Sequence, residues 1–320
     1  MQRIKKADSL VFELDPKQPP KLRVKQGESF VVETNDSFAG KMTEPGIVDR
    51  LSELPELHYL PVKANPVAGP IYVEGAERGD LLEVTIEKIV VGSEGWTASL
   101  PGIGPLGDSH RFAEARGPWV RVIKHLPGPS GTTRDGKASY DGKVLWDLSP
   151  MLGVVMVAAD REVETPVVGQ GPFGGNLDIR DVREGTRVFL NVYHPGGLLY
   201  IGDAHGSQGD TEFYGDADET NAEVTASCRV IKRKTIPFIR LEKPDSIVSV
   251  YSFRPLEDAV EQAVIGLMEW MMEYGVSERD AYMHMCLNPD FRVNVYQMVK
   301  LGRLQYTVGA EMPKKYLRPS

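Results

Sequence analysis

Apolar residues recur at every second position along several short stretches of this chain, and glycine or proline brackets each stretch. Leu82, Val84 and Ile86 alternate with Glu83, Thr85 and Glu87. Val188, Leu190 and Val192 alternate with Arg187, Phe189 and Asn191, and Phe30 and Val32 start a third run. A period of two puts successive side chains on opposite faces of an extended backbone, which is the pattern of a half-buried strand. With 32 glycines and 23 prolines in 320 residues, such runs stay short. The expected fold class is therefore mainly β. A similar turn precedes each run: LRVKQGES, VEGAERGD and RDVREGTR. In each, charged or amide residues lead to a glycine, which supplies the positive φ of a tight turn. The likeness of the second and third segments suggests an internal β duplication. Reuse of a common turn is the plainer reading.

The helical patterns come late. From Pro255, apolar residues fall at Val260, Ala263, Val264, Leu267, Trp270, Met271 and Tyr274, the spacing of an amphipathic helix. Glu257 and Asp258 suit its first turn and Gly275 its stop. Its Met, Trp and Tyr stripe reads as core, not as a cofactor box. Ser277 with Asp280 caps a second helix, through Cys286. Asn288-Pro289 ends that helix, and a further short one is expected to run to Lys300. The class is thus a β-rich α+β fold, mainly β with a few C-terminal helices. The stretch from Gly128 to Gly136 has no periodicity and reads as a surface loop or hairpin pair. No linker divides the chain. One domain over 1–320 is expected, built from two intimately packed β subdomains of about 1–165 and 166–320.

Charge and composition exclude several classes. A net charge of −8 argues against a nucleic-acid footprint and against an anionic membrane surface. No apolar run approaches the roughly 20 residues of a membrane span. MQRIKKADSLVFEL has no secretory h-region. Cys228 and Cys286 are too few for a disulfide framework, read as packing residues, and suit a reducing compartment. A cytoplasmic location follows by elimination.

Chemistry concentrates between His194 and Glu223. An apolar strand, Leu198 to Ile201, leads into Gly202, Asp203, Ala204 and His205. Residues two apart on an extended chain share a face, so Asp203 and His205 form a workable chelate. A carboxylate oxygen with an imidazole nitrogen suits zinc and its first-row neighbours. Gly202, Gly206 and Gly209 let the backbone turn around the site. Asp210, Glu212, Asp216, Asp218 and Glu219 follow, and carboxylates so close repel unless a cation or proton intervenes. A solvated acidic loop is the bland alternative; the histidine and the glycines weigh against it. Asp36 ends the first strand after Thr34 and Asn35. Asn176 and Asp178, again two apart, lie in a glycine-flanked segment. His110 and His194 are single histidines and read as structural hydrogen-bonders. There is no Walker loop, G-x-S-x-G elbow, H-E-x-x-H motif or dinucleotide fingerprint. The Gly-Ser-Ser-Lys signature of the common serine amidases is absent too.

GDAHGSQGDTEF resembles the G-D-x-H-x-x-Q-G-x-x-E signature of the acetamidase/formamidase family. GPIYVEGAERGDLLEVTIEKI is similar to that family's strand entry, with Arg78 where proline is common. GGNLDIRDVREGTRVFLNVYHPGGLLYIGDAH and SERDAYMHMCLNPDFRVNVYQMV resemble further segments, so the likeness covers nearly the whole chain. It implies a mostly β fold with an apparent duplication, hydrolysis of small amides or of lactams, and a homodimer or homotetramer. It also implies site residues. Asp203 and His205 would bind a divalent metal, zinc by preference, with Asp36, Asp178 and Glu219 as further ligands. Glu212 would shuttle protons, and Asn176 would orient the substrate or bind the oxyanion. Hydrolysis of a cyclic amide on the same scaffold is one alternative. A non-catalytic calcium-binding module is another, and a second, structural calcium fits beside the first metal. Two departures bear on the substrate more than on the reaction. SFAGKMTEPGIVDRLSELPELHYLPVKANPVAG differs from the simple acetamidases, and Thr211 stands at a glycine of the motif.

Overall fold

The alternating runs form strands Phe30–Glu33, Leu81–Val91 and Arg187–Asn191 in a computed structural model that describes residues 1–317. Leu81–Val91 pairs antiparallel with Arg187–Asn191 on one side and with Ala222–Ile231 on the other. Ala222–Ile231 in turn pairs with Phe30–Glu33. Cys228 lies in this strand, and burial pushes its thiol up. Among the described residues, strands form two open sheets, of nine and eleven strands.

The second sheet carries the site. Met151–Val157, Leu199–His205, Glu219–Thr220, Glu94–Ser99 and Trp119–Leu126 are neighbours in that order, and Val67–Val73 also pairs with Leu199–His205. Met151–Val157 and Leu199–His205 are buried at every position. Such strands, covered on both faces, need continuous apolar runs rather than alternation. One core joins the sheets: Leu82, Val84, Val188 and Val224 from the first meet Ile71, Leu152, Val155 and Ile201 from the second. Full burial of each such side chain contributes about 1.5–3 kcal/mol over exposure. That core fixes the strand ends on which the polar residues sit.

Helix Leu256–Glu273 lays Ala259, Ala263, Leu267, Trp270 and Met271 against Phe189, Ile247, Val308 and Ala310 of the first sheet. The second helix, Glu278–Leu287, is capped by Ser277, whose Oγ accepts from the Asp280 amide at 3.1 Å. Cys286 on this helix is exposed, contrary to the packing role expected of it. The short helix expected up to Lys300 is instead a strand, Arg292–Gln297, paired antiparallel with Tyr306–Pro313. β-Branched Val293 and Val295, alternating with Asn294 and Tyr296, favour the pleated form once a partner strand is present. Gly128 to Gly136 is a loop holding one 3-10 turn, Thr133–Asp135. The segment that departs from the simple acetamidases folds as three 3-10 turns, Lys41–Thr43, Ile47–Glu53 and Pro55–His58. Its Phe38, Met42, Ile47, Leu51 and Leu54 pack with Trp96, Ala98, Val168 and Leu304. No helix among the described residues is long and apolar enough to cross a membrane.

Candidate active site and metal centre

Strand Leu199–His205 ends in Asp203 and His205, and both side chains reach the same place. His205 Nε2 lies 3.7 Å from Asp203 Oδ1. The geometry differs from a plain extended pair, because Asp203 takes a left-handed φ of 55°. Across the ladder, Leu152 faces Ala204 and Val154 faces Gly202, which sets Gly153 beside Asp203. A Cβ on Gly153 would lie 2.6 Å from Asp203 Oδ2 and closer still to Asp178 Oδ1. Glycine here makes room for two carboxylates to meet.

Asp178 arrives from the turn after strand Gly174–Asn176, with φ 44°. Glu212 ends the 3-10 turn Asp210–Glu212, with φ 44°, next to Thr211 at φ 74°. Thr211 thus occupies a left-handed position of the kind that favours glycine. Non-glycine residues in this region cost on the order of 1–3 kcal/mol each, and they concentrate at functional sites. Glu219 sits on strand Glu219–Thr220, directly opposite His205.

Gln208 orients the imidazole. Its Nε2 donates to the carbonyls of Asp178 at 2.6 Å and Tyr296 at 3.1 Å. Its Oε1 therefore faces His205 Nδ1, at 3.0 Å, and accepts a hydrogen bond from it. This places Nε2 toward the acids, 3.2 Å from Glu219 Oε1. Fixing the tautomer through the far nitrogen is how metal-ligating histidines are held. The carboxylates are oriented too. Asn65 Nδ2 donates to Asp203 Oδ2 at 2.9 Å, Ser37 Oγ to Glu219 Oε2 at 2.7 Å, and Gln297 Nε2 to Asp178 Oδ2.

Acceptors still outnumber donors. Asp178 Oδ1, Asp203 Oδ1, Glu212 Oε2 and Asn176 Oδ1 are buried without a hydrogen-bond partner. Burial pushes Asp178 up to about 7, with the Asp203 charge adding to it. Asp216 rises to about 7 for the same two reasons. Burial also lifts Glu212 and Glu219 well above the carboxylate range, with Asp178 adding at Glu212 and Asp203 at Glu219. Burial alone would lower His205, but Glu219 and Asp203 outweigh it and hold the imidazole well above its ordinary value. This surplus of buried negative charge is what a cation relieves. Two donor sets could hold one, Asp178 with Asp203 and His205, and His205 with Glu212 and Glu219. The atoms in each set lie within 4.8 Å of one another. Mixed imidazole and carboxylate donors fit a first-row divalent ion.

The structure brings together six of the seven residues singled out from the sequence: Asn176, Asp178, Asp203, His205, Glu212 and Glu219. Asp36 stands apart from both donor sets. Its Oδ1 accepts from the Phe38 amide at 3.0 Å and from Trp96 Nε1 at 3.3 Å. His194 Nε2 contacts the Ala159 carbonyl at 2.7 Å, as a structural histidine would, and His110 is exposed. Sequence reading passed over Ser37, Asn65, Gly153, Gln208 and Gln297, and it placed Asp216 in the acidic run without giving it a role. Of the five passed over, only Gln208 lay within the chemical segment. The cluster forms the floor of a cavity of about 70 Å³ whose walls are apolar, among them Phe38, Leu57, Ile103, Val167 and Leu304.

The sequence model of the Acetamidase/Formamidase family matches residues 4–120 and 156–309. A formamidase of Methylophilus methylotrophus is 31% identical over 243 residues, 62% of this chain and 58% of the relative. An acetamidase of Mycolicibacterium smegmatis is 28% identical over 249 residues, 62% of this chain and 59% of the relative. The chain spans about three-fifths of the length of the curated relatives it matches. An acetamidase structure from Bacillus halodurans superposes with a TM-score of 0.85 at 28% identity, covering 98% of both chains. The match spans the segments that carry Asn176, Asp178, Asp203, His205 and Glu219, and the chain belongs to the acetamidase/formamidase family.

Proposed function

We propose that this protein hydrolyses the C–N bond of small amides, of formamide or acetamide size, with a bound divalent metal, zinc by preference. The observation that supports this most is the set of orphan oxygens around His205 at the floor of an apolar cavity. A cavity of roughly 150 Å³ accommodates benzene. A cavity about half as large suits a molecule of a few heavy atoms, and the Phe38, Val167 and Ile103 side chains suit a short acyl group.

Amide hydrolysis needs an activated water, a counter-charge for the developing oxyanion and a proton for the nitrogen. A bound divalent ion polarises the carbonyl and lowers the pKa of water towards roughly 7. His205, Asp203, Asp178 and Glu219 would hold the ion. Asn65, Ser37, Gln208 and Gln297 fix those ligands before substrate arrives, so the ordering cost is met in folding. Glu212 has a free Oε2 and a raised pKa. That suits it to take a proton from the attacking water at Oε2 and deliver it to the leaving nitrogen. Such a shuttle is worth about 10²–10⁴ in rate. Asn176 commits its Nδ2 to the Val167 carbonyl at 2.8 Å, which leaves Oδ1 towards the cavity. Its Oδ1 therefore offers an acceptor for the substrate N–H₂, and the second N–H of Nδ2 is the donor left for the oxyanion. The imidazole argues against a pure calcium module, because calcium takes oxygen ligands.

The test is an assay of ammonia release from formamide, acetamide, butyramide and a lactam, with elemental analysis of the same sample. We expect bound zinc or a neighbour in the series, turnover of the short amides, loss on chelation and recovery on adding metal back. Full activity after complete metal removal would rule out the metal. Calcium alone, with no amide turned over, would rule out the enzyme.

A further inference from the structure

Glu212 and Asp216 border two cavities at once. Besides the site cavity they line a second, wider one of about 570 Å³, together with Trp146, Tyr140, Phe213 and Tyr214. The two carboxylates form the partition between them. Glu212 is 6% exposed, and its Oε2 has no hydrogen-bond partner. The electrostatics of the two spaces differ. Apolar side chains wall the first above a floor of Asp178, Asp203, Glu212, Asp216 and Glu219, whose charge a bound divalent ion would offset. The second is aromatic and acidic, and no lysine or arginine lines it among the described residues.

Most of the charge in the second cavity is already matched. Asp210 pairs with Arg180 at 3.2 Å, Asp147 with Lys137, and Asp218 with His125 at 3.0 Å. Arg121 already stacks on Tyr140, 5.3 Å from its ring centroid, so that ring holds a cation. What remains unmatched is Glu212 and Asp216, in a lining they share with the rings of Trp146 and Tyr214. Carboxylates flanked by aromatic faces attract small cations and repel anions.

Amide hydrolysis makes one product of each sign. Water adds to the carbonyl carbon, the C–N bond breaks, and the nitrogen leaves with the protons it needs to become ammonium, while the acyl group leaves as a carboxylate. We infer that the second cavity binds and releases the ammonium product, with Glu212 and Asp216 between it and the reacting carbon. This assignment rests on the amidase reading above. The acyl carboxylate has no reason to pass two acids and leaves through the apolar cavity.

Thallium(I) is a heavy stand-in for ammonium. Crystals of the metal-loaded enzyme soaked in thallium acetate should show anomalous density in the second cavity, against Asp216 and the Trp146 ring. In solution, ammonium chloride should inhibit amide turnover without competing with the amide, measured against sodium chloride at equal ionic strength. Trp146→Lys puts a fixed cation in that space. It should remove the thallium peak and lower kcat at least fivefold, with KM within twofold. Tyr140→Lys, at a more exposed position, should do the same in weaker form should the first variant fold poorly. Thallium confined to the apolar cavity, or ammonium competing directly with amide, overturns the assignment while leaving amidase activity in place. An enzyme that turns over no amide at all defeats the function itself instead.

Discussion

Two buried histidine–carboxylate centres flank the same strand end, and only one of them is short of partners. At the first, His125 Nδ1 donates to the Gly92 carbonyl at 2.7 Å, and Nε2 lies 3.1 and 3.0 Å from the two oxygens of Asp218. Both nitrogens face acceptors, so both carry protons. Burial opposes that charge, and Asp218 outweighs it to hold the imidazole above its ordinary value. One cation answers one anion, and Gly95 and Gly206 leave space for the pair. At the second centre one imidazole faces Asp203, Glu219 and Glu212, and three carboxylate oxygens find no donor. Residue types and burial are alike in the two places. The ratio of donors to acceptors separates a strut from a site, because a buried acceptor without a donor costs on the order of 1–3 kcal/mol unless something else supplies the positive charge.

Alanine at each histidine breaks the comparison most sharply. His205→Ala should lose bound metal and lower amide turnover on the order of 10³-fold or more, since it removes a ligand rather than a support. His125→Ala strands a buried carboxylate. It should cost about 3–5 kcal/mol of stability while metal content and turnover per folded molecule stay within a few-fold. Elemental analysis, ammonia release and urea unfolding on both variants decide the matter. A stable, folded His125→Ala protein without activity would show that the two centres are one.

The glycines sharpen the same contrast at lower amplitude. Gly153→Ala puts a methyl group against Asp178 and Asp203, and Gly206→Ala puts one against Asp218 and His125. We expect Gly153→Ala to weaken metal binding about 10–100-fold, the usual range for a disturbed ligand support, with little change in unfolding midpoint. Gly206→Ala should do the reverse. Metal titration monitored by activity, paired with thermal melts, measures both. Equal effects of the two substitutions on metal affinity would contradict the division.

How much of this was legible depends on whether the information lies along the chain or across it. The alternation of Leu82, Val84 and Ile86 is local, and the strand is where the pattern puts it. Asp203 and His205 are two apart, and their common face followed, although the left-handed turn at Asp203 did not. Asn65 is 138 positions from the carboxylate it orients, and Ser37 is 182 from Glu219. Nothing near either residue marks it. Nothing in the sequence marks Gly153 either, because its reason lies in side chains at 178 and 203. Arg292–Gln297 reads as part of a short helix until Tyr306–Pro313 supplies a ladder for it. Asp36 ends a strand as a ligand might, yet Trp96 and the Phe38 amide bind its oxygen, and neither bond shows in spacing.

The smallest effect concerns pH, and it carries the sign of the charge surplus. Burial raises Asp178 and Asp216 from 3.8 to about 7. Without metal, the folded protein therefore keeps protons that the unfolded chain releases above about pH 4. Folding takes up protons in that window, so stability falls as pH rises from about 4 to 7. His205, raised above 6.5, extends the decline to higher pH with the same sign. His125 and Asp218 are raised as well and slope the same way, and Asp218 answers to His125 more than to His205. The metal-dependent part of the slope thus belongs to the His205 centre. A bound divalent ion takes the place of the shared protons there and flattens that part. The chelated protein should melt several degrees lower at pH 8 than at pH 5.5, at about 2–4 °C per kcal/mol for a domain approaching this size. The metal-loaded protein should show the smaller residual slope of His125 and Asp218. Melts at both pH values, with and without chelator, give the four numbers needed. An equal slope in both forms would mean that the protons are not held where the metal binds.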